Sequence, residues 1–183
     1  MKYLVVSDIH GSGYYANKIK EINEKENPDK IILLGDLYYH GPRNPLTEGY
    51  GPMEVAGILN DLSDKILCTR GNCDADVDEF ISEFKFKDNI RLTIGNLKFF
   101  FSHGHYYNSD NIPEDVDVVV YGHFHTGFIK EEYGIVFANP GSISLPKNGT
   151  TNSYIIIDEE NIILKDINGK IISSYNLNHT ADK

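Results

Sequence analysis

The stretch that most limits what this chain can become is Ile31-Ile32-Leu33-Leu34-Gly35-Asp36. Four aliphatic residues in a row, half of them β-branched, read as a strand buried on both faces, as in the parallel sheet of a layered α/β domain. Gly35 then lets the backbone turn sharply and lets other groups approach. Asp36 is delivered to the crevice at the carboxyl end of the sheet, where such folds place their ligands. An Asp at a strand end often caps the next helix. Here the residues that follow, Tyr38-Tyr39-His40-Gly41-Pro42-Arg43-Asn44-Pro45, form a proline-broken loop with no helix to cap.

The same pattern recurs along the chain. Tyr3 to Ser7 reads as a buried strand that runs into Asp8-Ile9-His10. Residues 14–26 carry a narrow apolar stripe, Ala16, Ile19 and Ile22, and Pro28 ends the helix they predict. The opening is therefore a strand–helix–strand crossover of a parallel sheet. Leu37 to Pro52 is a long loop, of the kind that tends to be functional. Met53 to Leu62 reads as a helix, Lys65 to Thr69 as a strand that runs into Gly71-Asn72-Cys73-Asp74, and Val77 to Phe84 as a helix that Asp74 is placed to cap. The character then changes: Asn89–Ile94 and Leu97–Ser102, joined by Gly95-Asn96, predict an antiparallel hairpin that ends in His103-Gly104-His105. Asp117–Tyr121 is a valine-rich strand ending in Gly122-His123-Phe124-His125, and Ile135–Ala138 ends in Asn139-Pro140-Gly141-Ser142. Three more strands are expected near 153–158, 161–166 and 170–176.

A length of 183 residues suits one domain spanning 1–183, with residues 178–183 frayed at the end. The formal charge of −10 disfavours long duplex nucleic acid as a partner, which calls for clustered Lys and Arg. No apolar run reaches the roughly 18 residues of a membrane span, so no membrane partner is expected. The amino terminus turns polar too soon for a signal peptide, and Cys68 and Cys73 form no spaced framework. A reduced, cytoplasmic protein is the expectation.

Five strand ends thus carry Asp8, His10, Asp36, Asn72, His103, His123 and His125. Singly, each reads as a turn residue, a cap or a packed imidazole. If the strands end on one rim, these side chains would repel or go unsatisfied without something cationic among them. Mixed oxygen and imidazole donors, with no thiolate in the set, suit Mn, Fe, Ni or Zn. Seven ligands exceed what one ion uses, so two ions sharing a carboxylate fit better. Such pairs serve in-line displacement at phosphorus.

On these residues the chain resembles the calcineurin-like metallophosphoesterases, whose pattern is D-x-H, G-D, G-N-H-D/E, G-H and G-H-x-H. It is most similar to their small bacterial YfcE-like phosphodiesterases, which the loop Tyr39 to Tyr50 and the string Asn139-Pro140-Gly141-Ser142 also resemble. The resemblance implies a four-layer α/β/β/α sandwich of two mixed sheets flanked by helices. It implies two divalent metal ions, manganese first with Ni, Fe or Zn as alternatives. One ion would be held by Asp8, His10, Asp36 and His125, the other by Asp36, Asn72, His103 and His123, with Asp36 bridging. A hydroxide between the metals would then attack a small phosphodiester substrate in line. The catalytic string would be Asn72, Cys73 and Asp74, where Cys73 replaces the imidazole thought in the family to protonate the leaving oxygen.

Arg43 and His40, in the long loop, are candidates for binding the substrate phosphate, against a solvated charge and a packed ring as the plain readings. His105 reads as loop support. The tyrosines Tyr38, Tyr39 and Tyr50 suit either nucleoside stacking or the interface of a homo-oligomer, a dimer or tetramer. Two alternatives stand beside the phosphodiesterase: a phosphomonoesterase or nucleotidase with the same metals, and a non-catalytic scaffold of the same fold. The complete donor set favours an enzyme.

Overall fold

The computed structural model describes residues 1–179. Strands β1 (Tyr3–Val6) and β2 (Lys30–Leu33) pair in parallel across α1 (Gly13–Glu26), as the apolar runs predict. Helix α1 begins where the Ser12 hydroxyl accepts the N–H of Tyr15 and ends at Asn27 in a left-handed conformation. Helix α2 (Pro52–Asn60) starts on a proline, which has no N–H to leave unpaired there. Strand β3 (Ile66–Thr69) then joins β2 in parallel. The helix expected over Val77–Phe84 shrinks to one turn, α3 (Asp78–Ile81). Phe84 is drawn instead into the core against Phe86, ring to ring at 5.8 Å, and Phe86 pairs with Cys68 as part of a short strand β4 (Phe86–Lys87).

The second half is built on the hairpin β5 (Ile90–Ile94) and β6 (Leu97–Ser102), followed by β7 (Val118–Tyr121), β8 (Gly127–Glu132) and β9 (Ile135–Pro140). The last strands are β10 (Ser153–Ile157), β11 (Asn161–Asp166) and β12 (Ile171–Asn176). They form two mixed sheets, in the orders β12-β11-β10-β1-β2-β3-β4 and β5-β6-β7-β9-β8. Within β1 the side chains alternate: Leu4 and Val6 face the helices, while Tyr3 and Val5 face the second sheet. Ile32 and Leu34 likewise meet Phe99, Phe101, Val118 and Val120 between the sheets. Burial on both faces explains the uninterrupted aliphatic runs.

The sandwich is the one the sequence leads one to expect, with one thin layer. Helices α1 and α2 cover the seven-stranded sheet. The outer face of the five-stranded sheet, Phe100, Val119, Tyr121 and Phe137, is covered by Ile112 and Val116 of a loop. Tyr38 is a core residue, 2% exposed, with its hydroxyl 2.6 Å from that of Ser82, and does not belong to a surface tyrosine cluster. At the chain's end, Leu177 is buried and opens a short 3-10 turn, Leu177–His179; of the stretch expected to fray, 180–183 lies outside the described residues. No helix among the described residues is long and apolar enough to cross a membrane.

The helix layer is tied to the sheet through Glu26, at the end of α1. Its carboxylate accepts Lys165 Nζ at 2.8 Å, Tyr154 Oη at 2.8 Å and Lys2 Nζ at 3.0 Å, with its side chain only 8% exposed. Burial alone would raise this carboxyl, but the hydrogen bonds from Lys165, Lys2 and Tyr154 outweigh it and hold the group at about 2, against 4.5 ordinarily. A carboxyl held low stabilises the fold above its ordinary value and loses that contribution as pH falls through the folded one. Glu26→Gln is therefore expected to flatten the fall in stability between about pH 5 and pH 2. Urea midpoints of both proteins across that range check it; parallel curves would refute the clamp.

Candidate metal centre

Beyond their strands, β1 and β2 keep running side by side: Asp8 N–H donates to Gly35 O, His10 N–H to Asp36 O and Gly11 N–H to Leu37 O. This places Asp8, His10 and Asp36 on one rim. The ends of β6 and β7 bring His103, His123 and His125 to the same rim from the second sheet, and the end of β3 brings Asn72. Asp8, His10, Asp36, His123 and His125 all have positive φ, between 50° and 64°. They make up five of the nine non-glycine residues in that region among the described residues, so the backbone strain of the fold is concentrated here.

Particular neighbours hold that strain. Ser142 and Ser144 hydroxyls both donate to Asp8 O, at 2.7 and 2.9 Å, and Asn139 Nδ2 donates to Gly122 O at 2.8 Å. This is the work of the Asn139–Ser142 string, which the sequence marks only by resemblance; Ser144 carries no signal in the sequence at all. Gly71 and Gly122 are needed for close approach: a Cβ on Gly71 would lie 2.1 Å from Asp36 Oδ1, and one on Gly122 would lie 1.9 Å from Ser7 Oγ.

Each carboxylate is held by one oxygen and leaves the other facing inward. Asp8 Oδ2 accepts from Ser7 Oγ at 2.5 Å and from His123 N–H at 3.1 Å, while Asp8 Oδ1 is buried without a hydrogen-bond partner. Asp36 Oδ1 accepts the Cys73 N–H at 2.8 Å, and Asp36 Oδ2 lies 3.8 Å from His10 Nε2 and 3.4 Å from His103 Nε2. Three imidazoles are turned the same way. Nδ1 of His10, His103 and His125 meets the carbonyl of Tyr39, Leu34 and Leu145, at 2.8, 2.7 and 2.6 Å. A carbonyl only accepts, so Nδ1 carries the proton and Nε2 faces inward. His10 and His125 approach Nε2 to Nε2 at 3.1 Å, and His123 Nδ1 lies 3.2 Å from His103 Nε2. Asn72 Oδ1 is 3.0 Å from His103 Nε2.

The electrostatics follow. Burial pushes Asp8 and Asp36 upward, but the imidazoles beside them, His10 and His125 at Asp8 and His103 at Asp36, prevail and hold both below the usual carboxylate range. Burial pulls His103 down, yet Asp36 and Asp8 hold it at about 9. An unpartnered buried carboxylate oxygen, among imidazole nitrogens whose other edges are fixed, is a donor set that a divalent cation would complete. The residues present therefore fit such an ion. Donor atoms of Asp8, His10 and His125, and again of Asp8, Asp36 and His103, lie within 4.8 Å of one another.

A family model described as the calcineurin-like phosphoesterase superfamily domain matches residues 1–161. The chain belongs to this superfamily. It is 35% identical to phosphodiesterase YfcE of Escherichia coli over 175 residues, covering 94% of this chain and 95% of that one. The solved structure of YfcE, described as a phosphoesterase from E. coli, superposes with a TM-score of 0.92 at 34% identity, covering 96% of this chain and 98% of the other. A zinc complex of Vps29 from Entamoeba histolytica shares the fold, with a TM-score of 0.62 at 20% identity over 96% and 99% of the two chains. Membership and full-length phosphoesterase relatives make this member a phosphoesterase enzyme.

A cleft of about 580 Å³ opens over the donors of this phosphoesterase, and Arg43, Tyr39, Cys73 and Lys147 line it. Lys147 was not found by sequence reasoning, because Pro146-Lys147-Asn148-Gly149 reads as an ordinary turn. His40 packs edge to face between Tyr39 and Tyr50, with ring centroids 4.8 and 5.3 Å away. His105 is exposed and packs against Tyr106 at 4.4 Å. A neighbouring hollow of about 490 Å³, lined by Arg70, Asp88 and Tyr106 among others, shares only His103 with the donor set. Cys73 lies beside Asp36; burial, then the Asp36 charge, pushes its thiol up to about 12.

Asp74 neither caps the following turn nor reaches the cleft. The N-cap position of that turn is Val77, with no side-chain cap, and Asp78, the first residue inside it, accepts the Ala75 N–H at 2.7 Å. Asp74 accepts three backbone N–H groups instead, from Asp36 at 2.8 Å, Leu37 at 2.8 Å and Gly71 at 2.7 Å. It is a positioning residue that ties the end of β2 to the end of β3. Asp74→Ala leaves three buried donors unpaired, and an expected loss of about 3 kcal/mol or more follows. Urea unfolding of chelator-treated protein checks this, and a loss below about 1 kcal/mol would refute the tie.

Proposed function

We propose that this enzyme is a phosphodiesterase that works with two divalent metal ions, manganese first among the candidates. The observation that carries the reading is the buried, unpartnered Asp8 Oδ1 facing a ring of fixed imidazoles. Asp8, His10, Asp36 and His125 would hold one ion, and Asp36, Asn72, His103 and His123 the other. Asp36 would serve both, since its free oxygen lies 3.8 Å from His10 Nε2 and 3.4 Å from His103 Nε2. When bound, the ions supply Lewis acidity and a nucleophile at neutral pH for displacement at phosphorus.

The chain's own residues do the rest. The left-handed turns fix the carboxylates before substrate arrives, and the carbonyls of Tyr39, Leu34 and Leu145 fix the ring orientations. Arg43 faces the cleft and is suited to a non-bridging phosphate oxygen. In the overall step water adds to phosphorus, the bond to one ester oxygen breaks, and a proton ends on that oxygen. The full donor set, with no position replaced by an apolar residue, favours an enzyme over a scaffold. Both thiols are free, which suits the reducing cytoplasm.

Chelator-stripped protein is expected to recover hydrolysis of bis-p-nitrophenyl phosphate on addition of Mn²⁺, at a higher kcat/KM than for p-nitrophenyl phosphate. Asp36→Asn should lose metal at both sites by elemental analysis, whereas His10→Ala should lose mainly one. Full two-metal loading of Asp36→Asn would sink the bridge, and a clear preference for the monoester would make this a phosphomonoesterase.

Cys73 is assigned the place beside the leaving oxygen, where the family pattern has an imidazole. A thiol, ordinarily near 8.5, is a weaker acid than an imidazole near 6.5. Losing a general acid costs about 10²–10⁴-fold when the leaving group needs a proton and little when it does not. Cys73→His should therefore raise activity on alkyl diesters more than on p-nitrophenyl esters. A leaving-group series on both proteins checks this, and equal slopes would leave Cys73 without the role.

A further inference from the structure

Arg43 and Lys147 come from different loops and line the same cleft. Both are held at their backbones. Asn44 closes the Arg43 turn, its N–H donating to Gly41 O at 3.3 Å and its Nδ2 to His40 O at 2.8 Å. Lys147 N–H donates to the carbonyl of His125 at 2.9 Å, and Lys147 O accepts both the N–H and the hydroxyl of Thr150, at 3.0 and 2.8 Å. The Lys147 side chain is thus carried on a turn anchored to one of the candidate ligands. Neither cation pairs with a carboxylate among the described residues. In a chain with 27 acidic residues, the one carboxylate that lines this cleft is Asp36.

The charge balance makes this placement informative. Two divalent ions would be balanced by the carboxylates of Asp8 and Asp36, the hydroxide nucleophile and the single negative charge of a diester phosphate, so the site itself would call for no further cation. Arg43 and Lys147 stand exposed on the wall of the same cleft, placed to meet further negative charge on the substrate. The cleft is also too large for a phosphate group alone; its volume suits a ligand of nucleotide size. Tyr39, 43% exposed on the same wall, offers a ring face for such a ligand.

We infer that Lys147, across the cleft from the reacting phosphate's partner Arg43, forms a second anion subsite, and that the substrate is a phosphodiester carrying another anionic group, of the size of a phosphorylated nucleoside. This rests on the phosphodiesterase reading above and names the substrate class for that site. The reacting phosphate lies on the metal ligands; the second anion lies on Lys147.

The test compares two esters with the same leaving group: thymidine 5′-(p-nitrophenyl phosphate) and its 3′-phosphorylated counterpart. The 3′-phosphate is expected to raise kcat/KM about tenfold, chiefly through KM, as a charge-assisted contact would. Lys147→Met should bring the ratio of the two esters towards unity, and Lys147→Arg should restore it. Calorimetric binding of thymidine 3′,5′-bisphosphate to metal-free protein reads the same contact without turnover; it should weaken in Lys147→Met and not in Lys147→Arg. Hydrolysis of both esters at equal kcat/KM by the wild type would overturn the subsite and leave the phosphodiesterase standing. Equal bisphosphate affinity of wild type and Lys147→Met would do the same. Turnover of neither ester alongside good turnover of p-nitrophenyl phosphate would remove the phosphodiesterase reading and the subsite with it.

Discussion

Two carboxylates buried against the same imidazole set the terms for everything else at this rim: His10 Nε2 lies 3.6 Å from Asp8 Oδ1 and 3.8 Å from Asp36 Oδ2. Taking either charge out of water costs several kcal/mol unless it is compensated. The seven-stranded sheet brings the carboxylates with His10 and Asn72, and the five-stranded sheet adds His103, His123 and His125 across the seam between them. The apolar core between the sheets, with Ile32 and Leu34 against Phe101 and Val120, is therefore what sets the distances in the site.

The rim is built from two kinds of support. One is hydrogen bonding to the far side of each donor, which leaves a single atom of each facing inward. The other is the fixing of backbone that would otherwise relax. Ser142, Ser144 and Asn139 grip the turns after β1 and β7, and Asp74 gathers the N–H groups at the ends of β2 and β3. Asp74 keeps its charge beside Asp36 at a cost: burial and then Asp36 push it up to about 6, while three backbone donors pull the other way. Its value lies in holding two strand ends in register for the donors that follow them.

The buried half of the architecture was legible because burial writes itself into composition. Strands β1, β2, β6 and β7 are apolar runs ended by a polar residue, and the residues after them are the donors. Strand β8 was not legible. Gly127–Glu132 lies at a sheet edge with half-exposed side chains, so neither alternation nor an apolar run marks it. The helix expected at Val77–Phe84 failed because Phe84 and Phe86 serve the core better than a helix face. In the site, residues that act through side chains in motifs could be read, while residues that act through backbone contacts or distant loops could not. Ser144 and Lys147 acquire their neighbours only when the chain folds, and Asp74 looks like a cap until its three donors are seen.

The left-handed backbone at five donor positions bears on how this fold can change over generations. Asn and Gly occupy that conformation more readily than Asp or His, and neither adds a buried charge. A replacement of that kind at position 8, 10, 36, 123 or 125 relieves strain and desolvation together, so the protein that loses its chemistry becomes easier to fold. Folding stability alone gives no reason to place Asp or His at these positions; the chemistry of the rim does.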